Sequence, residues 1–168
     1  LQDELSSDVT NPQINLYLSK QYYLDKQYDK SLHYAKLALD YANENTNNMY
    51  CLIYSSILYT MLTLNKSYDE MRDVFDEAII KDNDYPDYYR AMAMAAFREK
   101  KIKQAIDYFE KCLYYCENYN KLTESIAVGQ IVNIYYDLLK CYLLDNNKHK
   151  IVELSVALLK TDKYDLKI

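Results

Sequence analysis

The stretch YDKSLHYAKLAL, residues Tyr28–Leu39, is spelled again in residues of the same kind at IKQAIDYFEKCL, Ile102–Leu113. In both, place four is small (Ser31, Ala105), place five is large and apolar (Leu32, Ile106) and place seven is tyrosine (Tyr34, Tyr108). Place eleven is small again (Ala38, Cys112) and place twelve is leucine (Leu39, Leu113). YDEMRDVFDEAI, Tyr68–Ile79, fits more loosely, keeping places one, eleven and twelve but carrying Met71, Arg72 and Val74 at four, five and seven. Apolar residues recurring at intervals of three and four mark one face of a helix. The small residues within that face mark where a second helix can come close.

Working outward, each of these helices follows another apolar-periodic segment and a short polar turn. The units begin near Pro12, Leu52, Pro86 and Val132, in steps of 40, 34 and 46 residues. The spacing predicts helix pairs over Ile14–Leu24 with Tyr28–Tyr41, Met49–Leu64 with Tyr68–Lys81, Asp87–Arg98 with Ile102–Glu117, and Leu122–Leu144 with His149–Lys160. As repeat units these span roughly 12–45, 52–83, 86–119 and 122–162 of one array over 1–168, with residues 1–8 as the end of an earlier second helix. Asn11 stands where it can cap a helix that opens on Pro12, and Asp84 lies similarly ahead of Pro86. Gly129 marks a weak point in the long helix of unit four. The opening residue is Leu rather than Met, which reads as a fragment or a processed chain.

Composition points the same way. One glycine and two prolines in 168 residues leave little to punctuate strands, so the chain reads as nearly all helix. Half of the residues are hydrophobic, enough for a core, and 21 are tyrosines able to half-bury with the hydroxyl in water. A net charge of −5 argues against general nucleic-acid binding, which needs a basic face. No apolar run reaches the roughly 18 residues of a membrane span, and no signal peptide opens the chain, so a cytoplasmic location is expected. The four cysteines include no C-x-x-C pair and are expected to be reduced and partly buried.

The pattern resembles the tetratricopeptide repeat, a helix–turn–helix unit of about 34 residues. Its consensus positions fall on Leu18, Ser19, Tyr22, Ser31, Ala35 and Ala38 in unit one, and on Leu58, Tyr59, Leu62, Met71, Phe75 and Ala78 in unit two. In unit three they fall on Tyr89, Met92, Ala93, Ala96, Ala105, Phe109 and Cys112. Unit four is diverged, with Ile151 and Leu158 where small residues are expected. The resemblance implies an all-α fold, a right-handed superhelix of about four antiparallel helix pairs stacked on one another.

Nothing in the sequence sets up catalysis. Asp82-Asn83-Asp84 has the spacing of a metal-holding D-x-D triplet, yet it lies in an inter-repeat turn with no strand to end, so no metal is expected there. His33 and His149 are far apart and have no acid or thiol at useful spacing. A lone Gly129 cannot build a phosphate loop. No catalytic residue and no cofactor are therefore expected.

Binding by shape remains. In tetratricopeptide arrays the first helices line a concave groove, which here implies Leu16, Lys20 and Tyr23, then Ser56, Thr60 and Thr63. It also implies Asp87, Arg90, Met94, Phe97 and Arg98, then Tyr136, Lys140 and Leu143. The ligand-binding set is Lys20, Tyr23, Arg90, Met94, Phe97, Arg98, Tyr136 and Lys140, and its partner is a protein or peptide, with an acidic segment suited to the four cations. The subclass that grips C-terminal carboxylates is not supported, because only Lys20 provides a cation at its groove positions. A narrower resemblance covers residues 1–39. L-x-x-E-L, a turn with Asn11-Pro12, Y-L-x-x-x-Y and the second helix are similar to the region after the catalytic domain in bacterial family 2 glycosyltransferases. That resemblance implies a C-terminal interaction or assembly region; a peptide-sensing regulator and a scaffold for secretion or envelope assembly are the alternatives.

Overall fold

The computed structural model describes residues 10–43, 46, 49–118 and 128–165, without the side chains of 117–118, 128–130 and 160–165. Eight helices lie among them: α1 Pro12–Leu24, α2 Tyr28–Asp40, α3 Tyr50–Thr63, α4 Tyr68–Lys81, α5 Pro86–Arg98, α6 Ile102–Asn118, α7 Val128–Leu144 and α8 Lys148–Asp165. The expected helix end at residues 1–8 and the first turns of the expected Leu122–Leu144 helix lie outside the described residues, and Gly129 is the second residue of α7. Two compact units form, residues 1–83 with α1 to α4 and residues 84–168 with α5 to α8. In the first, α1 packs on α2, α2 on α3 and α3 on α4; in the second, α5 packs on α6, α6 on α7 and α7 on α8.

One turn is built four times. Lys26, Asn65, Lys100 and Asn146 have φ of 61°, 56°, 60° and 55°, the left-handed region that non-glycine residues seldom enter. Around each, the last turn of the first helix closes in the same way. The N–H of Lys26, Asn65, Lys100 and Asn146 donates to the carbonyl three residues back, at 3.0, 3.1, 3.0 and 3.2 Å. The next N–H, of Gln27, Lys66, Lys101 and Asn147, reaches back five residues to Tyr22, Met61, Ala96 and Tyr142 at 2.8, 2.9, 2.9 and 3.0 Å. This double closure satisfies carbonyls that a helix end leaves open. Five residues after Lys26, Lys100 and Asn146 stand Ser31, Ala105 and Ile151, so place four of the repeated pattern is in register in these three pairs; in the second pair the turn holds one residue more, and Met71 stands six after Asn65.

What stands at place four decides how closely each hairpin shuts. Seven residues before the left-handed residue, the first helix presents Ser19, Leu58, Ala93 and Leu139. Pairs one and three therefore bring serine to serine and alanine to alanine, and their helices approach closely along their length. Pairs two and four carry Leu58 with Met71 and Leu139 with Ile151, and their helices stay further apart. Met71 is still fully buried, its flexible thioether filling the wider gap. No described residue of α8 is fully buried.

Caps follow the sequence unevenly. Asn11 Oδ1 accepts from the N–H of Gln13 at 2.9 Å and of Ile14 at 3.3 Å, as the Asn-Pro opening predicts. Asp84 does not repeat this. With Pro86 first in α5, the cap is Tyr85, which makes no side-chain capping bond, and Asp84 stands one residue too early. The strongest cap is Ser67, whose hydroxyl accepts from the Glu70 N–H at 3.2 Å while Glu70 accepts from the Ser67 N–H at 2.9 Å. Seven tyrosines, Tyr54, Tyr68, Tyr85, Tyr88, Tyr89, Tyr135 and Tyr142, are buried outright, more deeply than half-burial implies. Tyr142 donates to Glu110, and Tyr89 is bonded to Tyr115.

A lysine held at positive φ on an exposed turn carries strain that glycine would not. Lys100→Gly is expected to raise stability by about 0.5–1 kcal/mol, and Lys100→Val to lower it by at least about 1 kcal/mol, read from urea unfolding midpoints. Unfolding midpoints in the reverse order would contradict the turn.

Candidate binding surface

The first unit turns most of its expected groove residues inward. Lys20 is exposed, but Leu16 and Thr60 are buried and Ser56 is half-buried. Tyr23 is half-buried, tied to Thr63 by a 2.9 Å hydroxyl bond and packed edge-on against Tyr28 with ring centroids 5.3 Å apart. Four hydroxyls make a closed relay between α1, α2 and α3. Thr60 donates to the Ser56 carbonyl at 2.7 Å, so its oxygen accepts from Ser31 at 3.3 Å. Ser31, its proton used, accepts from Ser19 at 3.3 Å, and Ser19 accepts from Ser56 at 3.0 Å. Every hydroxyl proton is placed, which is what a buried polar cluster needs to avoid a desolvation cost. Ser56 and Thr60 thus hold helices together where the repeat pattern put them on the groove floor.

The second unit gathers the expected residues better. Met94 and Phe97 of α5 and Lys140 of α7 line one cavity of about 120 Å³ with Phe109 and Asp137. Lys140 Nζ lies 2.9 Å from Asp137 Oδ1 across one helical turn, so an ion pair rims an otherwise apolar pocket. Tyr136, on the same helix, is 47% exposed. Arg90 is half-buried and Arg98 exposed. The Asp87 carboxyl is raised above its ordinary range by burial, opposed by the Arg90 charge and a hydrogen bond from Tyr85. Two residues were missed in the sequence reading. Phe109 stands in the sequence pattern only as a consensus position of unit three, and Asp137, three residues before Lys140, is a visible signal of local pairing.

A larger cleft of about 480 Å³ between α6, α7 and α8 was also missed, because it lies among second helices as well as a first. Its lysine is engaged within the cleft, with Lys150 Nζ 3.4 Å from Glu153 and 3.9 Å from Glu110. The cysteines are unbridged. The neighbouring Cys116 sulfur and then burial hold the Cys112 thiol far above its usual range, and burial pushes Cys141 up to about 11. His33 is exposed against Tyr34, and His149 is exposed 3.9 Å from Glu153. Among the described residues no three His, Cys, Asp or Glu side chains converge to hold a metal ion, and no helix is long and apolar enough to cross a membrane.

No protein-family model matches the chain, and no curated protein sequence matches it. Solved structures do. The chain is similar to MamA, with a TM-score of 0.77 and 14% identity over 99% of this chain and 87% of that one. It is similar to BtubC from P. vanneervenii with the same TM-score and identity, over 94% of this chain but only 65% of BtubC. The fold is a tetratricopeptide-like helical repeat. At 14% identity the likeness carries the fold alone.

The relay gives the first unit a clean test. Thr60→Val keeps the shape of the side chain and adds apolar surface, yet it leaves the buried Ser31 hydroxyl without the acceptor for its proton. Stability is expected to fall by about 1–3 kcal/mol in thermal unfolding. A neutral or stabilising effect would mean that the hydroxyls merely fill space.

Proposed function

We propose that this is a non-catalytic helical-repeat region that binds a protein or peptide. The observation that carries the reading is the cavity walled by Met94, Phe97 and Phe109 and rimmed by the Asp137–Lys140 pair. Such a pocket takes one apolar side chain of an extended or helical segment, the kind of anchor that supplies most of the affinity at a peptide groove. Arg90, Arg98 and Tyr136 belong to the same unit and are proposed to contact the flanks of that segment; Lys20 and Tyr23 are proposed contacts on the first unit. An acidic flank is the proposed chemistry, met by Arg90 and Arg98, while Asp137 answers Lys140 and Asp87 shares the Arg90 charge. Tyr23 serves better as a helix tie than as an anchor, since its hydroxyl is engaged by Thr63.

The parent chain is proposed to be a bacterial, cytoplasmic family 2 glycosyltransferase to which this region brings an acceptor protein or an assembly partner. Support for that context is the resemblance over residues 1–39, and a net charge of −5 disfavours nucleic acid as the partner.

A random 15-residue peptide library displayed on phage, selected on the folded chain, tests the reading. Selected peptides are expected to share one apolar anchor, to bind at least tenfold more weakly to Phe97→Asp, and to lose their preference for acidic flanks in Arg90→Glu/Arg98→Glu. Circular dichroism confirms that each variant is folded. Peptides that bind Phe97→Asp and the double variant as well as the natural chain would remove the site.

A further inference from the structure

The cleft of about 480 Å³ between α6, α7 and α8 shares no lining residue with the pocket at Met94 and Phe97. Its volume is that of a small-molecule site, roughly 300–1,000 Å³. Leu113, Leu138, Leu154 and Ala157 give it an apolar lining, joined by the rings of Tyr135, buried, and Tyr114, 60% exposed. The charges gather at one end, by the α7–α8 turn. Tyr142, in the last turn of α7, donates to Glu110. Lys150, in the first turn of α8, lies 3.9 Å from Glu110 and 3.4 Å from Glu153. Among the described lining residues two carboxylates thus face one ammonium, which leaves one negative charge in the cleft. Both carboxylates are open to a solute, Glu110 being 43% and Glu153 59% exposed. His149, 3.9 Å from Glu153, is 89% exposed and counts as neutral at pH 7.

The repeat frame does not demand this corner. First helices can be matched on their left-handed residues and second helices on place four. The same places in the first unit then hold Lys36 for Glu110, Met61 for Tyr142, Glu70 for Lys150 and Glu77 for Ala157. There the hydroxyl is gone, the charges at two places are reversed, and a long side chain stands where Ala157 leaves room. Only Asp73 repeats the charge of its counterpart, Glu153. The corner is a property of the second unit, not of the repeat.

We infer that this cleft is a second binding site, for a small organic amine whose ammonium meets Glu110 and Glu153 and whose apolar body lies against Leu113, Leu138 and Leu154. One added positive charge brings the corner to neutrality, whereas an anion meets a site that is already negative. The faces of tyrosine rings attract the same cation. A free amine suits the volume better than a lysine of a peptide, because a slender alkyl stem would leave much of the apolar lining wet. Since both carboxylates are partly in water, their attraction is modest, and added salt weakens it.

Titration of tryptamine into the 168-residue chain, followed by amide NMR shifts, reads the outcome. The amides of Leu113, Leu138 and Leu154 are expected to shift saturably, with a dissociation constant on the order of 1 mM or below. Tryptophol, with a hydroxyl in place of the ammonium, is expected to bind more weakly, and indole-3-propionate, with a carboxylate there, weakest of the three. Glu110→Gln and Glu153→Gln, each confirmed as folded by circular dichroism, are each expected to weaken tryptamine by about two- to fivefold and to leave tryptophol unchanged. Asp73→Asn removes the same charge at the matching place of the first unit and is expected to change nothing. Equal binding of the three probes would overturn the inference, as would an Asp73→Asn effect equal to that of Glu153→Gln. So would the absence of shifts at those amides in about 10 mM tryptamine. Nα-acetyl-lysine methylamide binding as tightly as tryptamine would also overturn it, since the ligand would then be the lysine of a peptide.

Discussion

Two helices joined by a tight turn can lie together along their length only if the side chains where they meet are small. This constraint orders the molecule. Ser19 faces Ser31 and their oxygens lie 3.3 Å apart; Ala93 and Ala105 occupy the same places in the third pair, both fully buried. Where leucine meets Met71 or Ile151 the hairpin stands wider. Closeness is worth having because interiors are stabilised by dense packing, which a gap between helices forfeits. The left-handed turn residue makes it reproducible in the first, third and fourth pairs, where place four of the second helix always comes five residues after it.

Much of this was legible in the residues. Small side chains at places four and eleven located the pairs, and the looser spelling of Tyr68–Ile79 corresponds to a hairpin that closes less tightly. Asn11 announced its cap. The turns themselves were not legible, because a lysine at Lys26 or Lys100 gives no signal for a conformation it merely tolerates. Asp84 misled for a simple reason: proline makes its immediate predecessor the cap, and that is Tyr85. The groove was legible in part. Met94, Phe97 and Lys140 do meet, but the stripe of a first helix that faces an adjacent pair lies next to the stripe that faces the groove. A hydroxyl such as Thr60 reads alike on either stripe, and only the relay with Ser56, Ser31 and Ser19 shows which one it serves.

The two units have come to different uses of the same frame. In the first, polar residues at helix contacts satisfy one another and rigidify α1, α2 and α3. In the second, alanines leave no polar group to satisfy, and aromatic and thioether side chains of α5 and α6 remain to wall a cavity against α7. The recognition proposed for the second unit rests on that division, since an apolar pocket with an ion pair at its lip would select a side chain by shape first and by charge second.

Hydrogen exchange of individual amides tests the central claim, that the small-residue contact is what holds each hairpin. Among the described turns of residues 84–168, the middle turns of α5 and α6, closed on Ala93 and Ala105, are predicted to exchange slowest, and those of α8, where Leu139 and Ile151 keep the hairpin wider, fastest. Protection that is uniform across the unit, or greatest in α8, would contradict it.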